Sequence, residues 1–166
     1  MTSPDFIATI RRQQAGLLLD ANVLPLYLMD SVEPSAVFEW KMTRQFTINH
    51  VDLLRTAVSE STRLVTTPHV LTQVTDQTHG IPASLRRRYW EVLSAFIVAA
   101  RERWRRSRDV VRDPEFCEFG LADTALAGLG RWRRPVVLTV DAALFGLLSR
   151  RRLPVLNLHH YAFPVP

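Results

Sequence analysis

Three aspartates hold the chemistry of this chain. Asp20 closes the apolar run Gly16-Leu17-Leu18-Leu19, Asp141 closes Pro135-Val136-Val137-Leu138-Thr139-Val140, and Asp123 follows Gly120-Leu121-Ala122 at the start of a helical pattern. A short apolar segment ending at a carboxylate reads as a buried strand delivering an acid to its own carboxyl end, where open α/β sheets keep their sites. Like charges brought that close raise each other's pKa unless something positive sits among them, and a divalent cation fits that need. Each aspartate taken singly also suits a helix N-cap.

The elements that must position these acids follow from the rest of the chain. After the first strand, Val23 to Met29 continues as a helix, with Pro25 tolerated in its first turn. Residues 31–47 read as an irregular or helical insertion, and Val51, Leu54 and Val58 carry a helix ending near Ser61. Arg63 to Thr67 reads as the second strand, His69 to His79 as a helix capped by Gly80. The longest pattern, Ala83 to Arg106, sets Leu85, Tyr89, Leu93, Phe96, Ile97, Ala100 and Trp104 on one face of a helix. Val110-Val111 reads as a brief extended piece. A helix from Leu121 or Ala122 to about Trp132, a strand over Val136 to Thr139, a helix over Ala142 to Arg150 and a last strand over Val155 to Leu158 complete the order, with His159 to Pro166 as an extended or turn-like tail. Strands alternating with helices predict a three-layer α/β/α fold, a parallel sheet of four to five strands flanked by helices.

Four segments together resemble the PIN domain, the nuclease fold of VapC-type toxins and other ribonucleases. They are Leu18 to Leu24, Thr66 to Val74, Gly120 to Leu126 and Val137 to Leu144, in the family's order. The resemblance implies one PIN-like domain over residues 1–166, with an N-terminal arm at 1–15 and family-variable insertions at 31–47 and 83–112. It implies that Asp20, Asp123 and Asp141 are catalytic and gather Mg²⁺ or Mn²⁺, with Asn22 and Thr139 orienting them. The family's usual acid on the helix after the second strand is here Gln73, whose amide could hold a metal-bound water, and Asp76 lies three residues along the same face. The activity so implied is metal-dependent endoribonuclease cleavage of RNA, with a small antitoxin protein as partner and a homodimer as assembly. The alternative is a catalytically degenerate PIN-like module that grips RNA or a protein, with Gln73 as the mark of the loss.

Composition sets bounds on these readings. The 166 residues are 47% hydrophobic, enough for one ordinary core, and the formal charge of +5 favours anionic partners. Lys41 is the single lysine, so the positive charge is guanidinium, which suits phosphate. Arg86 to Arg88 and Arg101 to Arg108 bracket the long helical pattern. Arg131, Arg133, Arg134 and Arg150 to Arg152 flank the last strands. Cys117 alone permits neither an intrachain disulfide nor a cysteine-based zinc site. No signal-peptide pattern and no run of about 20 apolar residues is present, so a cytoplasmic protein is expected, with no membrane partner. Trp40, Trp90, Trp104 and Trp132 are candidates for interface anchors.

Overall fold

A computed structural model describes residues 4–129 and 134–163. Its centre is a five-stranded parallel sheet in the order β3-β2-β1-β4-β5, where β1 is Leu17–Leu19, β2 Leu64–Thr66, β3 Arg101–Glu102, β4 Val136–Thr139 and β5 Val155–Asn157. Leu17 pairs with Leu64 on one side and Val136 on the other, and Thr139 pairs with Asn157. Every residue of β1 and β4 is buried, as expected for parallel strands covered by helices on both faces. From β1 the chain moves outward to β2 and β3, then returns to the opposite side for β4 and β5. Its direction therefore reverses between β1 and β4, the place where such sheets open a crevice.

The helices are α1 (Pro4–Arg12), α2 (Leu24–Val32), α3 (Ile48–Glu60), α4 (Pro68–Asp76), α5 (Ala83–Ala99), α6 (Ser107–Val110), α7 (Phe116–Ala127), α8 (Ala142–Arg150) and α9 (Leu158–Ala162). Helix α2 packs on α3 and α5, and α3 holds α1 and α9; α7 meets α4, α6 and α8. The core runs through Leu17 to Leu19, Leu26, Met29, Leu54, Tyr89, Leu93 and Leu138. Among the described residues no helix is long and apolar enough to cross a membrane.

The structure departs from the expectations at five places, one of them Val110-Val111, where the end and C-cap of the short helix α6 stand in place of an extended piece. The arm at 1–15 contains α1, because Phe6 and Ile10, four residues apart, are both buried, and the Phe6 ring lies 4.9 Å from that of Tyr161. The helix expected to reach Arg106 ends at Ala99. Arg101 and Glu102 instead pair with Val65 and Thr66, and Arg103 N–H donates to Thr66 O at 2.9 Å. The unpaired backbone edge of β2 is satisfied this way, and it outweighs further helix. Helix α7 begins at Phe116 and breaks at Gly120 (φ 71°), so only its second half matches the expected helix. The tail is helical over α9, whose N-cap Asn157 accepts from His159 N–H at 2.9 Å. Helix α7 ends at Ala127 with Gly128 as its cap, short of the expected Trp132; Trp132, the flanking Arg131 and Arg133, and the last three residues of the tail lie outside the described residues. Trp40 is core, whereas Trp90 and Trp104 are exposed.

Candidate nucleic-acid interface

Asp20 sits at the carboxyl end of β1, 2% exposed. Its Oδ1 accepts from the backbone N–H groups of Asn22 (2.9 Å) and Val23 (2.8 Å), and its Oδ2 accepts from the Thr139 hydroxyl at the end of β4. Thr139 Oγ1 accepts in turn from Asp141 N–H at 2.9 Å. One hydrogen-bonded chain thus stitches the two strands together where the direction of the sheet reverses. Burial pushes the Asp20 carboxyl up to about 6 against the opposing pull of its donors, with Asp123 adding repulsion. Asp123 is half-buried just after the Gly120 break and is likewise raised to about 6, by burial and by the charge of Asp141. Asp141 caps α8, its Oδ1 accepting from Ala143 N–H at 2.7 Å and Leu144 N–H at 2.9 Å.

Asp123 thus interacts electrostatically with both Asp20 and Asp141. Among the described residues no group of three or more His, Cys, Asp or Glu is placed to hold a metal ion. That finding overturns the expected Mg²⁺ or Mn²⁺ centre at Asp20, Asp123 and Asp141. With it fall the metal-dependent ribonuclease and the toxin reading that rested on that centre. The physical reason lies in the use of the oxygens. Both of Asp20 are taken by three donors, one of Asp141 is taken by a helix cap, and Gln73 supplies no charge. Asn22 meets Asp20 through its backbone, and its side chain is exposed. Asp76 is exposed at the end of α4.

Gln73 lies in a cleft of about 350 Å³ between α4 and α7, lined by Pro68, His69, Thr72, Gln73, Leu121 and Ala122. The break at Gly120 sets Leu121 and Ala122 against α4. Thr72 donates to Pro68 O at 2.9 Å, and the buried Nδ1 of His69 has no hydrogen-bond partner. In the sequence His69 stands only as the start of a helical pattern, and nothing local marks it as lining a cavity.

At the carboxyl end of β3 the chain continues as Arg103-Trp104-Arg105-Arg106. Trp104 is 62% exposed, and it follows the strand that pairs with Val65 and Thr66, directly before α4. Arg105 lies over the end of α7, its guanidinium so close to Gly128 that a Cβ there would stand 1.6 Å from Nη1. Ion pairs engage Arg11, Arg55, Arg87 and Arg151 elsewhere, while Arg101, Arg106 and Arg108 are exposed and make none among the described residues. No family model, no curated protein and no solved structure matches this chain.

Proposed function

We propose that this chain is a non-catalytic RNA-binding module on a PIN-like fold, holding single-stranded RNA along the carboxyl edge of its sheet. The observation that carries the reading is Trp104, exposed within a run of arginines at the end of β3. An exposed indole among guanidinium groups offers a stacking face for a base and charge for the flanking phosphates, the combination that single-strand binders use. The net charge of +5 and the near-exclusive use of arginine support the same partner. The PIN-like assignment is supported by the four segments of the resemblance, each of which includes residues at or beside this edge.

Fluorescence anisotropy with a labelled single-stranded RNA tests the reading. Affinity should fall with salt at a slope of about −3 in log–log form if four phosphates are contacted, and should be indifferent to chelator. Trp104→Ala should weaken binding by about 1–3 kcal/mol, the usual worth of one stacked base. Absence of RNA binding at low salt would overturn the proposal.

A further inference from the structure

The cleft beside Gln73 has the size and chemistry for one flat, polar-edged ring. We infer that it takes a single adenine base from the bound RNA, read by the Gln73 side chain. The inference rests on the RNA-binding reading and extends it from charge to sequence.

Two walls of the cleft are apolar, Pro68 from α4 and Leu121 with Ala122 from α7. Such walls cover the faces of a ring at little cost in lost hydration. The amide of Gln73 is exposed and bonded to nothing among the described residues, so its donor and its acceptor are both open to a base edge.

The neighbouring charges select which part of the RNA enters. Asp123 follows Ala122 directly, and Asp20 and Asp141 lie within electrostatic reach of it. Carboxylates repel a phosphate but accept from the amino group of a base. The arginines along β3 and beyond take the backbone, and the acidic crevice takes a base edge. An amide presents a donor and an acceptor side by side, which matches the N6 amino group and N7 of adenine in a bidentate pair. The Gln73 position thus has a use of its own, since a carboxylate there would lack the donor that N7 requires.

The experiment compares fluorescein-labelled U12 with the same 12-mer carrying one central adenine, by anisotropy with the full chain. The adenine oligonucleotide should bind at least about fivefold more tightly, the lower end of discrimination by a bidentate pair. Gln73→Leu and Gln73→Glu should each bring the two RNAs to within about twofold of each other, whereas Trp104→Ala should weaken both RNAs and keep the preference. Because Gln73 is exposed on the surface of α4, neither substitution threatens folding. Equal binding of the two RNAs by the wild type, or a preference that survives Gln73→Leu, overturns the adenine cleft and leaves the RNA-binding reading standing. Failure of both RNAs to bind overturns both.

Discussion

His50 on α3 and His159 on α9 meet through their rings, Nε2 of the first 2.8 Å from Nδ1 of the second. Thr47 N–H donates to His50 Nδ1 at 3.1 Å, so in the neutral ring the proton must sit on Nε2, from which it is donated to His159. Thr47 fixes the tautomer of His50, and His50 in turn fixes that of His159. Phe46 and Phe163 pack around the pair, with the His50 and Phe163 centroids 5.1 Å apart. Burial first, and the proximity of His159 second, push His50 down to about 4.

Protonating this pair should loosen the carboxyl-terminal helix. The folded pKa of His50 lies below its unfolded value, so the unfolded chain binds more protons between about pH 4 and 6.5, and stability rises with pH across that window. The expected gain is on the order of 2 kcal/mol, and His50→Gln should remove it. Urea unfolding at pH 4.5 and 7 measures both; an unchanged pH slope in the variant would falsify the assignment.

Asp20 works in the opposite sense. Its folded pKa is about 6, above the unfolded value, so the native state binds more protons between about pH 4 and 6 and stability falls as pH rises there. Asn at this position keeps an oxygen for the two backbone donors and carries no charge. Relative to wild type, Asp20→Asn should grow more stable from pH 4 to 7.5 by up to the order of 3 kcal/mol. The two histidine and aspartate contributions oppose each other in the wild type, so its stability should vary less with pH than that of either variant. Thermal melts across the range decide this, and superimposable profiles for wild type and Asp20→Asn would show that the acid is not held neutral by burial.

Gly16→Ala should be among the most damaging single substitutions. At φ +103° an L side chain is strained, and a Cβ would stand 2.5 Å from the carbonyl oxygen of Arg63, which accepts the Leu17 N–H. Gly80 has φ +86° with nothing within 4 Å of a Cβ, so Gly80→Ala carries the backbone strain alone. We expect about 1 kcal/mol for Gly80→Ala and at least about 3 kcal/mol for Gly16→Ala. Equal losses in denaturant midpoint would mean that the closeness of Arg63 does not matter.

Gly128 and Arg105 should be coupled. Added at Gly128, a methyl displaces the guanidinium, a long side chain that can swing away, from its favourable place at the carboxyl end of α7. Gly128→Ala should therefore cost up to about 1 kcal/mol in the wild type and nothing, or a small gain, in an Arg105→Ala background. A double-mutant cycle that sums to zero would disprove the coupling.

The sheet was legible in the sequence where burial alone makes strands. The Leu17 to Leu19 and Val136 to Thr139 runs are apolar because both faces are covered, and the positions of Asp20 and Asp141 follow from where those runs stop. Strand β3 was not legible, because Arg101-Glu102 has no strand character of its own and becomes extended only against Thr66. Nor could the sequence say how the aspartates are spent. An acid after a strand serves equally as a ligand or as a cap, and only the approach of Thr139, 119 residues away from Asp20, shows both oxygens occupied. The bond between His50 and His159, 109 residues apart, lies beyond any local pattern for the same reason.

The strand order also sets a timetable for the growing chain. Strand β1 leaves the ribosome well before its two neighbours, β2, from residue 64, and β4, from residue 136. At about 5–20 residues per second, the middle of the sheet waits several seconds or more for its second edge to be synthesised. Through that interval Leu17 to Leu19 form an apolar ribbon with one side open, and Asp20 at its end stays hydrated and charged. The arrival of β4 then closes that side of the ribbon and carries Thr139 to the carboxylate in the same movement, with β5 still to add at the outer edge of β4.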